Sequence, residues 1–434
     1  MRRAALVGIA ENGTIFVFQL SEASPSTPPP DPLIRPEPKR RSGRPGAKSD
    51  GWGSERVIPL KAGSRPVNLT DGIPNQVETN MSTKVAERVG KWVITGGTGF
   101  IGCHASARLH AAGHQVVVVD NLSRKGAEAN LAWLQGQGIT NFVKADIRDP
   151  GAMSRLMEEH ADADVVLHLA GQVAVTTSVV DPRGDFEANA LGTFNVLEAV
   201  RAAAKGRPAV FYSSTNKVYG NLEHVEVVER NGRYAYADRP LGVNEEERLD
   251  FHSPYGCSKG TGDQYVRDYA RIYGLKTVVF RQSCIYGTRQ FGIEDQGWIA
   301  WFSIAATLGK RFSIYGDGKQ IRDALWVDDL VALYQRAWER IDVARGDVFN
   351  VGGGPENTLS LLELVAEIER ATGRTLNPGF ADWRPGDQRV FVADIRKAKE
   401  RLGWAPTVST TEGIKRLLEW VRENLDLFRS VGLG

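Results

Sequence analysis

From residue 92 onward, short runs of almost wholly apolar residues alternate with longer stretches whose apolar positions recur at helical spacing. The runs span 92–95, 115–120, 142–145, 164–169, 209–213 and 277–280. A strand that is apolar at every position is covered on both faces, the condition of a parallel sheet lying between helices. The stretches 103–112, 127–135, 151–160, 186–204 and 258–273 supply those helices. Strand, crossover helix, strand, repeated, predicts an α/β fold on a doubly wound parallel sheet. Beyond Gly287 the alternation breaks down. Ser360-Leu361-Leu362-Glu363 opens a helix with a capping box, Gly403 closes a second, and 412–425 forms a third. These predict a smaller C-terminal lobe.

Residues 1–85 carry neither periodicity. Positions 1–80 hold 11 of the 20 prolines, among them Pro28-Pro29-Pro30. Such a stretch cannot form a regular helix or sheet interior and has too few apolar residues to offset its ordering entropy, so 1–85 is expected to be a disordered, proline-rich and basic extension. Met81-Ser82-Thr83-Lys84 also reads as a short alternative N-terminus just ahead of the first strand. The domain boundaries that follow are 90–286 with parts of 320–355 for the sheet, and 287–319 with 356–430 for the lobe.

Composition narrows the function. The 54 basic and 52 acidic residues nearly balance, which gives no electrostatic case for a nucleic-acid partner. Three widely spaced cysteines form neither a disulfide framework nor a metal site, and they suit a reducing cytoplasm. No apolar run reaches the ~20 residues of a membrane helix. Met1-Arg2-Arg3 and the apolar stretch after it imitate a signal peptide, but the run breaks at Glu11-Asn12-Gly13.

The first strand runs into Thr95-Gly96-Gly97-Thr98-Gly99-Phe100-Ile101-Gly102. A glycine turn between a strand and a helix lets backbone approach a pyrophosphate at the helix N-terminus, whose free N–H groups favour anions. Gly96, Gly99, Phe100, Ile101 and Gly102 are therefore expected to cradle a dinucleotide on a Rossmann-type sheet. Asp120 ends the second strand, with Asn121 after it. A carboxylate there accepts from the adenosine ribose hydroxyls and repels a 2′-phosphate, which favours NAD over NADP; Arg124 nearby pulls the other way. Asp146 and Ile147 follow the third strand and fit the adenine. Leu169, Ala170 and Gly171, after the fourth, let backbone approach the cofactor, and Gln172 follows them. His168 reads as a core histidine rather than a proton carrier.

The fifth strand ends in Ser213-Ser214-Thr215-Asn216-Lys217-Val218-Tyr219-Gly220, and Pro254-Tyr255-Gly256-Cys257-Ser258-Lys259 comes later. At i, i+4 spacing Tyr255 and Lys259 share a helix face. An unperturbed tyrosine, with a pKa of ~10, is a poor base at neutral pH. The Lys259 ammonium is expected to favour its phenolate, which then takes a proton from a substrate hydroxyl. A hydroxyl from the strand end, Thr215 or Ser214, is expected to bridge substrate and Tyr255.

On these motifs residues 90–425 resemble the extended short-chain dehydrogenase/reductase family of nucleotide-sugar epimerases and dehydratases. The resemblance implies bound NAD, a catalytic set of Tyr255, Lys259, Thr215 and Ser214, and a homodimer or homotetramer paired through helices near the catalytic one. Sugar 4,6-dehydratases of this kind carry Thr-Asp-Glu where this chain has Thr215-Asn216-Lys217, so a carboxylate pair for water elimination is missing. What remains is oxidation of a carbinol followed by reduction. The wider match, through Tyr286-Gly287-Thr288-Arg289-Gln290-Phe291 and Asp295-Gln296-Gly297-Trp298, implies a CDP-sugar substrate. The implied reaction inverts C2 of a CDP-deoxyhexose through a transient 2-keto sugar, with hydride passing to and from NAD. Gln172, Asn216, Arg289, Arg322, Arg384 and Asp387 are the implied substrate contacts, and no metal is implied. Cys284 stands where many relatives place an asparagine near the diphosphate. An epimerase acting at C4 of a UDP-sugar, and a catalytically silent NAD-binding scaffold, stay open as alternatives.

Overall fold

The computed structural model of the protein describes residues 5–9, 15–19, 89–203, 207–384 and 386–433. In the first unit, Met1–Asn80, an antiparallel hairpin joins Ala5–Ile9 to Ile15–Gln19. The rest of the expected extension, including the alternative start at Met81, lies outside the described residues.

The second unit, Met81–Gly434, holds everything else. Its main sheet has seven strands: β1 Lys91–Thr95, β2 Gln115–Asp120, β3 Phe142–Lys144, β4 Val165–His168, β5 Ala209–Thr215, β6 Thr277–Gln282 and β7 Asp347–Val351. Their spatial order is β3-β2-β1-β4-β5-β6-β7, and every neighbouring pair is parallel. The order reverses between β1 and β4, and a crevice opens at such a switch point beyond the strands' carboxyl ends. Residues 92–94, 117–119 and 165–167 are all buried, as strands covered on both faces must be.

Helices α1 Phe100–Ala111, α2 Ala127–Gly136, α3 Pro150–Glu159, α4 Gly192–Ala202 and α5 Ser253–Tyr273 follow the expected crossovers. Two differ from the sequence expectation. The single helix read over 186–204 is broken: a π turn, Glu187–Leu191, separates the short helix Pro182–Phe186 from α4. Helix α5 begins at Ser253, five residues earlier than its apolar periodicity indicates, because Pro254 fits a first turn and Tyr255 is buried by tertiary contacts.

Two apolar cores flank the sheet. One gathers Trp92, Phe211, Phe280 and Tyr334, and also Ala398, Leu402 and Trp404 from near the C-terminus. The other gathers Val117, Val166, Leu197 and Val279. A third core, including Phe302, Ile314, Leu364 and Leu417, belongs to the lobe. In the lobe, Ile321–Trp326 pairs with Cys284–Tyr286, Thr358–Ser360 and Val390–Phe391. The capping box forms as read: Glu363 N–H donates to Ser360 Oγ and Ser360 N–H to Glu363 Oε2. Among the described residues no helix is long and apolar enough to cross a membrane.

Candidate active site

A groove of about 640 Å³ lies at the switch point, lined by the glycine loop, the ends of β2 and β4, and the segment 289–296. The glycines are there because nothing larger fits. A Cβ on Gly102 would stand 2.1 Å from the Gly96 carbonyl oxygen, and one on Gly96 would stand 2.7 Å from Ala170 N. Gly96 also has φ +70°. The loop therefore packs against β4 and leaves the start of α1 open to the groove. Gly99 caps that helix without a side-chain bond, so its first amides are free for an anion. Thr98 Oγ1 is buried and has no hydrogen-bond partner among the described residues. Phe100, Ile101, Leu169, Ala170, Gly171 and Ile147 line the same groove.

Asp120 is fixed at the mouth by the N–H groups of Thr98, at 3.1 Å, and Leu122, at 2.9 Å. Asn121 donates to Asp146 at 3.0 Å, and Arg148 bonds both Asp146 oxygens. That guanidinium holds the Asp146 carboxyl far below the usual range. The glycine cradle, the open helix end and the anchored Asp120 fit a dinucleotide.

Among the residues lining this groove that the sequence did not single out are Ser123, Asn130 and Asp185. Asn130 donates to Thr98 O at 3.0 Å and so braces the loop. Asp185 falls just before the helix read over 186–204, and no spacing signal marks it. Arg124, noted only as a doubt about the cofactor, reaches across to Gln296. Arg289, expected at the substrate, stacks on Trp133 of α2, 4.0 Å from the ring centroid, donates to Asn130 at 3.4 Å and lines the groove.

Tyr255 and Lys259 lie on the first turns of α5, both buried. Their electrostatics differ from the sequence expectation. Burial pushes the Tyr255 phenol up to about 12, opposed by a hydrogen-bonding Thr215 side chain and the Arg124 charge. Burial also pushes Lys259 down to about 7. The Lys259 ammonium sits over the Tyr212 ring, 4.3 Å from its centroid. In the protein alone, desolvation therefore outweighs the expected help from lysine to the phenolate.

The Ser214 hydroxyl donates to Asp263 of α5 at 2.8 Å, two helical turns along from Tyr255. Asp263 is bound on both oxygens by Arg281, at 2.9 and 3.0 Å. His168 is a core residue as read: its ring nitrogens bond Thr95 at 2.7 Å and Thr193 at 3.0 Å, and burial pushes it down to about 3.

On the lobe side, Arg322 is buried and donates to Asp387 at 2.6 Å and to Gln388 O at 2.6 Å. Lys217 reaches Gly386 O at 3.3 Å. Lys217 is pushed down to about 8 by burial and by the Arg322 charge. Asn216 donates to Gln388 Oε1 at 3.4 Å. Arg384 stands over the Tyr315 ring at 3.9 Å and is bonded to Glu294 O at 2.8 Å; Asp387, which Arg322 holds, donates its N–H to Arg384 O at 3.1 Å. Gln172, expected at the substrate, is committed to Ala174 O at 2.7 Å and Asp185 at 3.1 Å. Cys284 accepts a bond from Trp298 Nε1 at 3.5 Å, and burial raises its thiol pKa.

Residues 93–417 match the family model described as GDP-mannose 4,6 dehydratase. The chain is similar to a CDP-paratose 2-epimerase of Salmonella typhi, 47% identical over 335 residues, covering 76% of this chain and 98% of the relative. Among solved structures it is similar to a UDP-glucose 4-epimerase of Thermotoga maritima determined with UDP-glucose (33% identity, TM-score 0.67, covering 77% of this chain and 99% of that one). It is also similar to a Thermus thermophilus UDP-glucose 4-epimerase determined with NAD (30% identity, TM-score 0.65, covering 76% and 99%). The glycine cradle at the switch point, the Tyr255–Lys259 turn beside it and a match over most of the chain lead to one conclusion: this protein belongs to the extended short-chain dehydrogenase/reductase family of nucleotide-sugar epimerases and dehydratases.

Proposed function

We propose that the protein is an NAD-dependent isomerase that inverts C2 of a CDP-deoxyhexose, a CDP-paratose to CDP-tyvelose conversion. The observation that carries this reading is Asn216-Lys217 at the end of β5, where a dehydratase needs a carboxylate pair, in a chain 47% identical to a CDP-paratose 2-epimerase.

Gly96, Gly99, Gly102 and the first amides of α1 hold the dinucleotide pyrophosphate, and Asp120 takes the adenosine ribose. NAD bound there supplies a hydride acceptor that gives back what it takes. Tyr255 removes the proton from the sugar hydroxyl and later returns it, with Thr215 holding the hydroxyl between them. Lys259 keeps a positive charge beside the phenol. Arg322 and Arg384, on either side of the turn 384–388, hold the substrate diphosphate, where a guanidinium fork matches phosphate oxygens. The exposed Phe194 on α4 and Tyr265 and Ile272 on α5 support pairing of two chains across these helices. A cytoplasmic role in building surface carbohydrate such as the lipopolysaccharide O-antigen accords with this substrate.

The test is to denature the purified protein, identify the released dinucleotide, and follow CDP-paratose and UDP-glucose by NMR. Released NAD with conversion at C2 of the CDP-sugar is the expected result. Inversion at C4 of UDP-glucose alone would replace this reading with that of a UDP-sugar 4-epimerase.

A further inference from the structure

The segment 289–296, one wall of the dinucleotide groove, is anchored unevenly along its length. Its first half is packed. Arg289 stacks on Trp133 of α2, and the Phe291 ring meets those of Phe428 and Trp420 at 5.9 and 6.4 Å. A Cβ on Gly292 would stand 2.7 Å from Trp301 N, so that residue is pressed against the helix Trp298–Leu308. The second half, the turn Ile293–Gln296, is different. Ile293 N–H donates to Gln296 O at 3.1 Å and Gln296 N–H to Ile293 O at 3.0 Å, which closes the turn on itself. Ile293, Glu294 and Asp295 are all exposed. A turn with so few buried apolar contacts opens at low cost.

Polar side chains hold this turn from two sides. On the sheet side, Arg124 donates to the Gln296 side-chain oxygen. Arg124, Ile293 and Gln296 all line the groove, so that bond joins the wall that follows β2 to the turn. On the lobe side, Arg384 Nη2 donates to Glu294 O at 2.8 Å and lies 3.3 Å from the Asp295 carboxylate. Tyr315, on whose ring Arg384 rests, donates its hydroxyl to the Glu294 carboxylate at 3.2 Å. Ile293 places an apolar side chain, 40% exposed, on the groove wall, where a bound dinucleotide can cover it.

We infer that the turn Ile293–Gln296 is a strap that keeps NAD in its groove, latched to the sheet by Arg124 on Gln296 and to the lobe by Arg384 on Glu294 O and Asp295. In the proposed reaction hydride is lent and returned, so losing the reduced cofactor midway would strand a 2-keto sugar. A wall that opens only when two latches break slows that loss and adds no contact to the reacting atoms. The inference rests on NAD occupying this groove and not on the identity of the sugar.

The test leaves Arg384, which also serves the substrate diphosphate, untouched. Protein loaded with isotopically labelled NAD is mixed with excess unlabelled NAD, and the label retained is followed by mass spectrometry of the desalted protein. Gln296→Ala is expected to speed release about three- to tenfold, the worth of one net hydrogen bond. Asp295→Ala breaks an exposed ion pair but leaves the bond to Glu294 O, and is expected to speed release about two- to threefold. Gln296→Glu keeps an acceptor for Arg124 and is expected to release NAD no faster than wild type. Wild-type release from both alanine variants, or equal release from Gln296→Ala and Gln296→Glu, overturns the inference. No sugar is present in this measurement, so failure to convert CDP-paratose would sink the proposed substrate and leave the strap standing.

Discussion

Ser214 and Thr215 are consecutive residues of β5, and they engage helix α5 two turns apart: Ser214 donates to Asp263 at 2.8 Å, while the Thr215 side chain interacts with the Tyr255 phenol and lowers its pKa. Their variants should therefore separate stability from turnover. Thr215→Val is expected to cut kcat with little change in melting temperature. Ser214→Ala is expected to cost about 1–2 kcal/mol of stability, the loss of one buried charge-assisted hydrogen bond, with turnover within a few-fold of wild type. Paired thermal melts and initial rates decide it, and the reverse pattern would place Ser214 in the catalytic set.

Tyr255→Phe removes the hydroxyl that carries the proton and leaves the groove intact. Turnover should fall on the order of 10²–10⁴-fold, the range for a general acid–base group. The variant should still release a full equivalent of NAD on denaturation. Near-wild-type rates would refute the role given to Tyr255.

Gly102→Ala tests the cradle. Its new Cβ would stand 2.1 Å from the Gly96 carbonyl oxygen, so the loop and the start of α1 must move apart. Overpacking of this kind costs about 1–3 kcal/mol. Dinucleotide affinity, measured by titration calorimetry, should weaken on the order of tenfold or more.

Arg322→Lys keeps the charge but loses the fork that bonds Asp387 and Gln388. KM for the nucleotide sugar should rise about 10–100-fold, matching loss of one charged hydrogen bond of about 1.5–3 kcal/mol. Unchanged KM in steady-state kinetics would place the diphosphate elsewhere.

His168 gives a pH dependence of definite sign. Its folded pKa is depressed to about 3, against about 6.5 for an unperturbed imidazole. Below about 6.5 the unfolded chain takes up a proton that the folded chain refuses. The stability from neutral His168 is therefore complete above that value and is lost as pH falls toward 3, at up to about 1.4 kcal/mol per unit. Denaturant melts on the acid side should show a shallower slope for His168→Asn than for wild type.

Much of this site was legible along the chain. The Gly96–Gly102 loop, Asp120 at a strand end and the Tyr255–Lys259 spacing are local patterns. Each follows from the repeat of a helix or strand or from the room a turn needs, and the structure assembles them around one groove. The strand ends were less legible. The fifth and sixth strands run on to Thr215 and Gln282, because polar residues at a sheet's carboxyl end still pair through their backbone with the neighbouring strand.

The sequence by itself determined the doubly wound sheet, the dinucleotide loop and the tyrosine–lysine turn, since all three are written in short-range periodicity. Only the tertiary structure decided that Arg289 stacks on Trp133, that Ser214 bonds Asp263, and that Asp185 stands against Ser258, 73 residues away in sequence. It also decided that burial raises the Tyr255 phenol pKa despite the lysine one turn on. The physical reason is the same in each case: these relationships depend on which buried faces meet across the fold and how much water they exclude, and neither is recorded in the spacing of residues along the chain.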